Sequence, residues 1–385
     1  MIVGVGKETA AGERRVAVTP DTVRLLGRSD VQVAVERGAG ARAGFPDEDY
    51  ERAGATLHPD AAAVCAAADV VVRVRAPALG DDGRSDLDGL ARGRVLIGLL
   101  RPLDEPARAE ALARRGLTTF AMELMPRITR AQSMDALSSQ SNLAGYRSVL
   151  LAASTLAKAF PMMVTAAGTI SPTRVLVLGA GVAGLQAIAT ARRLGARVEA
   201  YDVRPAVKEQ VESLGARFVE LALDTADAEG AGGYARAQSE DYYARQRALL
   251  GERVRQADVV ITTALVPGKP APRLIDADAV RGMRPGSVIV DLAAEHGGNT
   301  AGARPDEAVL VDGVTILGPT NLPSDVAFDA SQMYARNVAS FLLHLVKDGA
   351  LVLDLDDELT RAPLLTHDGA VTNELVRTLA QEKGR

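Results

Sequence analysis

The chain lacks several features that mark particular classes of protein. Tryptophan is absent and aromatic residues make up only 3% of 385 residues, so the core must be built mainly from alanine, valine and leucine. Cys65 is the single cysteine, which excludes an intramolecular disulfide and fits a reducing compartment. No apolar run reaches the roughly 18 residues that a membrane-spanning helix needs. The first residues are typical of a strand and not of a secretion signal.

The charge pattern argues against two kinds of partner. The formal net charge is −5, so the chain has no basic footprint for nucleic acid. Acidic and basic residues are mixed, and no polybasic run indicates direct contact with a membrane surface. The four histidines are scattered without metal-ligand spacing, so no metal site is predicted.

What is present is an alternation of short apolar strands and alanine-rich helical segments, which is typical of parallel βαβ construction. The length exceeds the usual size of one domain. Near the beginning of the chain, strands are predicted at Ile2–Val5, Val31–Val35, Val70–Val74, Val95–Leu99 and Thr118–Met122. In the middle of the chain, they are predicted at Val175–Leu178, Arg197–Tyr201, Arg217–Val219, Val259–Thr263, Ser287–Leu292 and Thr315–Leu317.

Two long amphipathic helices separate these regions. Apolar residues at three- and four-residue steps predict one helix over 143–160 and another over Asp325–Val346, with Ser324 as its N-cap. We therefore expect an α/β fold with two Rossmann-like, doubly wound parallel-sheet domains, joined by long helices and with a cleft between them. The first domain is expected to be discontinuous, 1–137 plus 329–385, and the second to be a nucleotide-binding domain, 138–328.

A glycine-rich turn of the form GxGxxG follows the predicted strand Val175–Leu178. Its first glycine permits a tight turn, the second lets backbone amides approach a pyrophosphate, and the third lets the next helix pack closely on the strand. The helix N-terminus offers unpaired N–H groups to phosphates. Strand, turn, helix and a distal acid fall in register, which favours a dinucleotide site over a turn without a ligand. The predicted site consists of Gly179, Ala180, Gly181, Val182, Gly184, Asp202, Val203 and Arg204.

Asp202 indicates which dinucleotide to expect. Its carboxylate can accept hydrogen bonds from the adenosine ribose hydroxyls, whereas a 2′-phosphate there would meet a negative charge. NAD(H) is therefore predicted over NADP(H). Arg204 leaves an alternative open, because a nearby arginine can accommodate that phosphate. Its other interpretation is a solvated or phosphate-facing charge.

The polar segment from Pro126 to Ser139 is the most distinctive stretch of the sequence. It reads PRITRAQSMDALSS and closely resembles the loop of the soluble NAD(H)-binding domain, domain I, of proton-translocating NAD(P) transhydrogenase. The resemblance covers nearly the whole chain. It continues through Gly6–Glu8, Arg14–Ala17, Asn142–Arg147, Gly232–Ala235, Thr262–Lys269, Gly297–Asn299 and Thr320–Ser324.

The resemblance implies that this loop positions the nicotinamide half of NAD(H). Hydride transfer needs no nucleophile or general base, only close approach of the two reacting carbons and exclusion of water. A glutamine can fix the carboxamide because it both donates and accepts, and an arginine can hold an oxygen without losing its proton. The loop residues so assigned are Arg127, Ile128, Thr129, Gln132, Ser133, Met134, Asp135 and Ser138, with Arg127, Gln132, Asp135 and Ser138 in catalytic roles.

The same residues have structural interpretations that stay open. Asp135 or Ser133 can cap the following helix, and Arg127 with Arg130 can be a solvated pair. These alternatives weigh as much as the functional ones when the residues are considered without the resemblance.

The resemblance adds three residues outside the loop. Gly233 and Tyr234 match a mobile loop that closes over bound nucleotide, and Tyr234 is counted with the catalytic residues. Leu265 follows a strand, where the carboxyl ends of parallel strands bind ligands. Without the resemblance, Tyr234 is equally well an exposed loop tyrosine without a role.

Alanine dehydrogenase shares this architecture and the opening motif around Arg15, and is the main alternative. Its substrate histidine and lysine should lie after the strand near Leu96–Leu100 and at the end of Val70–Val74, where Arg101 and Arg75 stand here. Arginines cannot shuttle protons at neutral pH, so amino-acid deamination by this chain is not expected. A non-catalytic NAD(H)-sensing module is the other alternative, because no second nucleotide motif or substrate base is recognisable.

The resemblance also implies partners. The hydride is expected to pass between NAD(H) on this chain and NADP(H) bound by a partner subunit, with proton translocation coupled through a membrane proton-channel subunit. Domain I of the family is a homodimer, so a homodimer is expected. The expected location is cytoplasmic and peripheral to the inner (cytoplasmic) membrane through partner subunits, with no direct membrane insertion and no nucleic acid.

Overall fold

The computed structural model of the protein describes residues 1–78, 85–221 and 239–383, which form two compact units. Unit 1 comprises Met1–Gln140 with Pro323–Arg385, and unit 2 comprises Ser141–Leu322. The first boundary lies within a long helix and the second within a short 3-10 turn. The sequence predicts these boundaries at 137 and 328.

Strands and helices alternate along most of both units. The strands are β1 (Ile2–Val5), β2 (Gln32–Glu36), β3 (Thr56–His58), β4 (Val70–Arg75), β5 (Val95–Leu99), β6 (Thr118–Ala121), β7 (Met163–Thr165), β8 (Gly168–Ile170), β9 (Arg174–Leu178), β10 (Arg197–Tyr201), β11 (Arg217–Phe218), β12 (Val259–Thr262), β13 (Val288–Asp291), β14 (Ala308–Val311), β15 (Val314–Leu317), β16 (Val346–Lys347), β17 (Ala350–Leu351), β18 (Leu364–His367) and β19 (Ala370–Val371). The helices are α1 (Pro20–Gly27), α2 (Asp47–Ala53), α3 (Ala61–Ala67), α4 (Pro106–Arg114), α5 (Ala136–Thr155), α6 (Val182–Arg193), α7 (Lys208–Ser213), α8 (Glu240–Gln256), α9 (Ala277–Arg281), α10 (Ala327–Leu345), α11 (Glu358–Arg361) and α12 (Glu374–Lys383).

The main sheet of unit 1 has the order β19-β18-β6-β5-β4-β1-β2-β3. Strands β1 to β6 pair in parallel, whereas β18 and β19 are antiparallel additions at one edge. The parallel strands therefore have the doubly wound order 3-2-1-4-5-6, in which the direction of winding reverses between β1 and β4. Ligands of such sheets bind at the carboxyl ends of the strands beside that reversal.

Unit 2 repeats the same plan. Its main sheet has the order β11-β10-β9-β12-β13-β15-β14, with every pair parallel except β14 against β15. Here the winding reverses between β9 and β12. The prediction of an α/β protein with two doubly wound, Rossmann-like domains is confirmed.

Valine-rich strands and the helix α10 build the core of unit 1. Strand β4 is buried over Val70–Val74, as expected for a parallel strand covered on both faces. Helix α10 contributes Tyr334 and Phe341, both fully buried, and the ring of Phe341 meets that of Phe120 edge to face at 5.2 Å. Each such side chain stabilises the fold by roughly 1.5–3 kcal/mol through burial alone.

Helix α5 begins earlier than predicted, at Ala136 and not at 143. Asp135 caps it, because its Oδ1 accepts a hydrogen bond from the backbone N–H of Ser138 at 2.8 Å. The helix also ends earlier than the predicted 160, at Thr155. The stripe of apolar residues thus predicted the helix but not its ends.

Helix α10 begins at Ala327, and the prediction that Ser324 caps it is wrong. The Ser324 hydroxyl instead donates to the carbonyl oxygen of Gly12 at 2.9 Å and accepts from the N–H of Arg14 at 2.6 Å. Its role is to hold the segment after β1 in unit 1, a contact between residues more than 300 positions apart that local pattern does not reveal.

Candidate functional site

The polar segment after β6 forms a loop in unit 1 that leads into α5. It contains two 3-10 turns, Met122–Leu124 and Thr129–Met134. A cavity of about 580 Å³ opens beside the loop. The residues that line it are Pro126, Arg127, Ile128, Thr129, Ala131, Gln132, Asp135 and Ser138. The structure therefore brings together all the predicted loop residues except Ser133 and Met134.

Met134 and Ser133 have different surroundings from the others. The Met134 side chain is buried among the apolar residues of unit 1, which anchors the loop from below. Ser133 is exposed, and so are the side chains of Arg127, Thr129 and Gln132. The loop thus combines a buried apolar anchor with exposed polar side chains beside the cavity.

Asp135 and Ser138 form a pair at the point where the loop becomes helix α5. Asp135 Oδ2 accepts from the Ser138 hydroxyl at 2.6 Å, in addition to the capping bond from the Ser138 N–H. The helix-capping interpretation of Asp135 is therefore correct. The pair also fixes the orientation of two polar groups that line the cavity, so capping and ligand binding are compatible roles.

The glycine-rich turn lies in unit 2, at the carboxyl end of β9 and beside the reversal of winding. Gly179 has φ = +97°, a conformation that favours glycine, and its N–H donates to the carbonyl oxygen of Tyr201 at 2.8 Å. A Cβ on Gly184 would lie 1.8 Å from the carbonyl oxygen of Gly179. Gly184 therefore allows the close packing of helix on turn that the motif predicts.

Gly181 shows that the turn has room for a ligand. A Cβ built on Gly181 would meet no atom within 4 Å, so the face of the turn at this residue is open. Helix α6 starts at the next residue, Val182, with no side chain capping its first N–H groups. An open backbone face and uncapped helical N–H groups suit a pyrophosphate, so the residues present fit a dinucleotide.

Asp202 follows β10 and is held by hydrogen bonds from its neighbours. Its Oδ2 accepts from the N–H of Ala180 at 2.7 Å, which ties the end of β10 to the glycine turn. The guanidinium of Arg204 pairs with the same carboxylate at 2.9 Å, and both side chains are largely buried. Arg204 is therefore an ion-pair partner, and the interpretation of it as a solvated charge is wrong.

Leu265 lies in the segment after β12 and is 38% exposed. Asn299 supports this segment from below. Its side chain accepts from the N–H of Ala264 at 3.0 Å and donates to the carbonyl oxygens of Ala264 and Pro272. Val203, next to Asp202, is partly buried against the core of unit 2. Gly233 and Tyr234 lie outside the described residues.

The carboxyl ends of the strands in unit 1 carry charged groups in place of the histidine and lysine of an amino-acid dehydrogenase. Arg15 pairs with Glu13 at 2.6 Å, and both side chains are buried. Arg101 follows β5 with φ = +56°, and the N–H groups of Leu100 and Arg101 both donate to Glu123. Burial raises the pKa of Glu123 to about 7.

Two kinds of feature were searched for within 1–78, 85–221 and 239–383. No group of three or more His, Cys, Asp or Glu side chains there is arranged to hold a metal ion. No helix within these ranges has the length and apolar character that crossing a membrane requires.

Some residues that shape the site were not predicted. A Cβ on Gly145 would lie 2.0 Å from the carbonyl oxygen of Ala183, so this glycine lets α5 approach the start of α6 within unit 2. The Thr263 hydroxyl donates to the carbonyl oxygen of Gly179 at 3.0 Å and supports the turn. Both residues lie in segments that carry the resemblance, which was the only signal in the sequence for them.

Comparison with known proteins agrees with this geometry. The alanine dehydrogenase/PNT N-terminal domain family matches residues 4–144, and the alanine dehydrogenase/PNT C-terminal domain family matches residues 148–374. The chain is 49% identical to an NAD(P) transhydrogenase alpha subunit of Rhodospirillum rubrum, over 97% of this chain and 98% of that protein. It is 32% identical to an alanine dehydrogenase of Halomonas elongata, over 98% and 96% of the two chains.

A solved structure leads to the same grouping. The crystal structure of transhydrogenase from Sinorhizobium meliloti superposes with a TM-score of 0.84 at 45% identity, over 97% of this chain and 99% of that one. The chain therefore belongs to the alanine dehydrogenase/PNT family, in which it groups with the NAD(P) transhydrogenase alpha subunits and stands further from the alanine dehydrogenases.

Proposed function

We propose that this chain is the NAD(H)-binding subunit of a proton-translocating NAD(P) transhydrogenase. It exchanges a hydride between NAD(H) bound here and NADP(H) bound by a partner subunit, and a membrane subunit couples the exchange to proton translocation. The observation that carries the proposal is the similarity over nearly the full length of both chains to a transhydrogenase alpha subunit. The open, uncapped glycine turn in unit 2 supports it.

In this proposal the two units do different work. The glycine turn and the start of α6 hold the pyrophosphate, and Asp202 accepts from the adenosine ribose. Gln132 and Arg127 orient the carboxamide of the nicotinamide, and the Asp135–Ser138 pair fixes the loop beside it. The dihydronicotinamide supplies the hydride, so the chain needs no nucleophile or base. Tyr234, with Gly233, serves to exclude water.

The Asp202–Arg204 pair supports NAD(H) as the nucleotide of this subunit. The charge of Arg204 is already compensated by the carboxylate at 2.9 Å. A 2′-phosphate would have to displace that carboxylate and be placed close to it, which costs electrostatic free energy. A ribose hydroxyl has no such conflict, since it donates to a carboxylate.

The proposal includes a homodimer, for which the hairpin of β7 and β8 is the supporting feature. Met162 and Val164 are 63% and 72% exposed, and residues 159–173 contain no charged side chain. Exposed apolar patches mark interaction sites, and a two-stranded hairpin alone is only marginally stable. An uncharged surface is self-complementary across a twofold axis, where like charges would meet. In the proposed complex the chain is cytoplasmic and peripheral to the membrane through its partner subunits.

A hydride-exchange assay tests the proposed function. The chain is mixed with an NADP(H)-binding subunit of a related transhydrogenase, and transfer from NADH to an oxidised NADP analogue is followed by absorbance. We expect transfer only when both proteins are present. Oxidation of NADH by pyruvate and ammonium would instead indicate an alanine dehydrogenase, and NADH binding without transfer to any partner would indicate a sensing module.

A further inference from the structure

Helix α10 carries a buried amide on an otherwise apolar face. Asn337 is 8% exposed and lies among Tyr334, Val338 and Phe341, all of which are fully buried. A buried amide destabilises a protein unless its donor and acceptor are both satisfied. Its presence in this stripe therefore directs attention to its partners.

Both partners of Asn337 belong to the loop and the helix that follows it. Its Nδ2 donates to the backbone carbonyl oxygen of Ser133 at 2.8 Å, and its Oδ1 accepts from the hydroxyl of Ser139 at 2.7 Å. A backbone carbonyl can only accept, so the orientation of the amide is determined by the first bond. No smaller or purely accepting side chain satisfies both partners.

The two bonded residues bracket the cavity-lining pair. Ser133 stands two positions before Asp135, and Ser139 stands directly after Ser138. One side chain from α10 therefore clamps both ends of the short segment that contains Asp135 and Ser138. The clamp acts where the 3-10 turn passes into α5, at which the backbone has few regular hydrogen bonds of its own.

Behind the clamp lies a chain of buried polar groups. Gln140 Nε2 donates to the hydroxyl of Ser139 at 3.2 Å and to the carbonyl oxygen of Ala330 at 3.1 Å. Gln140 Oε1 accepts from Arg15 at 2.7 Å, and Arg15 is held by Glu13. Ser139 is therefore fixed from two sides, which makes it a rigid attachment point for Asn337.

We infer that Asn337 is a positioning residue for hydride transfer. It does not touch the nucleotide but holds the loop so that Gln132, Asp135 and Ser138 present one geometry to the nicotinamide. This inference rests on the proposed function of the loop. Small displacements of orienting groups slow hydride transfer strongly, whereas the pyrophosphate is bound by the separate glycine turn.

The substitution Asn337→Asp tests the inference with little change in volume. The carboxylate still accepts from Ser139, but it cannot donate to Ser133 and places a negative oxygen against that carbonyl. In the exchange assay we expect kcat to fall by about tenfold or more while the Kd for NADH changes by less than about twofold. The Ser139→Ala variant removes one bond only and should give the same pattern more weakly.

A second readout needs no partner subunit. The anisotropy of dihydronicotinamide fluorescence reports how firmly the ring is held, and the absence of tryptophan removes the usual overlapping signal. At saturating NADH, we expect lower anisotropy for Asn337→Asp than for the natural chain. Ser331→Ala is the matched control, because Ser331 is buried on the same helix and bonds to Val16 and Ala327, which lie outside the loop. It should lower the melting temperature but leave kcat and anisotropy unchanged.

The outcomes separate the two proposals. Folded Asn337→Asp protein with unaltered kcat and anisotropy would overturn the positioning role, as would an equal loss in Ser331→Ala. If the natural chain transfers no hydride to any partner and the anisotropy still falls in Asn337→Asp, the proposed function fails and the positioning role stands. If Asn337→Asp does not fold, Ser139→Ala decides by the same two measurements.

Discussion

The two units share one strand order but differ at the turn after their first parallel strand. In unit 2, β9 passes through Gly179 and Gly181 directly into α6. In unit 1, β1 is followed by Gly6, Lys7 and Glu8, and α1 begins only at Pro20. The same topology therefore ends in a helix N-terminus in one unit and in a stretch of irregular chain in the other.

An acid after the second strand makes the comparison closer. Glu36, at the end of β2, accepts from the N–H of Lys7 at 2.7 Å, just as Asp202 accepts from the N–H of Ala180. In unit 1 the adjoining space holds the buried Glu8, which pairs with Arg73 at 3.5 Å. In unit 2 the corresponding face is open at Gly181. Topology thus provides the crevice, and the residues at the turn decide whether a ligand can enter it.

Closing the turn of unit 2 should have the largest effect. In Gly184→Ala, the new Cβ would overlap the carbonyl oxygen of Gly179, so the turn cannot keep its shape. We expect NADH binding, measured by fluorescence titration, to weaken by roughly a hundredfold. Gly6→Ala in unit 1 is the control, since its Cβ would sit 3.5 Å from Glu36, and it should bind NADH normally. Normal NADH affinity in Gly184→Ala would mean that the turn is not the binding site.

Removing the acid should distinguish the two units next. Asp202→Ala deletes a charge-assisted bond to the ribose and leaves Ala180 and Arg204 without their carboxylate, so NADH affinity should fall by about 1–3 kcal/mol. Calorimetric titration measures this loss. Glu36→Ala makes the same kind of change in unit 1 and should leave NADH affinity unaltered. Equal affinities for the two variants would contradict the assignment of Asp202 to the ribose.

The loop of unit 1 should contribute orientation more than affinity. Gln132→Ala removes a side chain that is exposed beside the cavity, so folding should be unaffected. We expect kcat for hydride exchange to fall by about tenfold while the Kd for NADH rises by no more than about threefold. Thr169→Ala, on the hairpin of unit 2, serves as an exposed control. Equal losses in kcat and affinity for Gln132→Ala would indicate a plain binding role.

The smallest effect concerns the buried acids that unit 1 has at its strand ends. Burial raises the pKa of Glu123 to about 7, above its value in the unfolded chain, so the folded state takes up a proton between about pH 4.5 and 7. The stabilising contribution of this group is complete below that range and is lost as the pH rises through 7.

Glu123→Gln removes this titration. From pH 5 to pH 8, the unfolding free energy of the variant relative to the natural chain should rise by on the order of 2 kcal/mol. Urea unfolding followed by circular dichroism at the two pH values measures the difference. The exposed Glu51→Gln should show no such rise. A constant difference between variant and natural chain would exclude a raised pKa for Glu123.

The sequence predicts the parallel strands well because each is a short apolar run bounded by breakers. All predicted strands are present, with their ends within one residue of the observed ones. The glycine turn is equally readable, since every residue of it lies within one continuous segment. The exposed β7–β8 hairpin and the edge strands β18 and β19 were not predicted, because two to four residues carry too little periodicity.

The candidate site is less readable than the fold, since its supports come from distant regions of the chain. Asp135 could be recognised as a cap or a ligand, and only the structure shows that it caps α5. Asn337 lies about 200 positions from Ser133, so nothing near either residue indicates their contact. The local bond between Arg204 and Asp202 is two positions long, yet side-chain geometry was needed to distinguish it from a solvated charge.

The saturation of Asp202 by its own neighbours has a kinetic consequence. An incoming ribose exchanges one hydrogen bond for another at this carboxylate, so the net gain in free energy is much smaller than the loss on deleting the side chain. Moderate affinity gives a short residence time. A carrier that must empty and refill on every cycle benefits from this, because product departure then keeps pace with the hydride step.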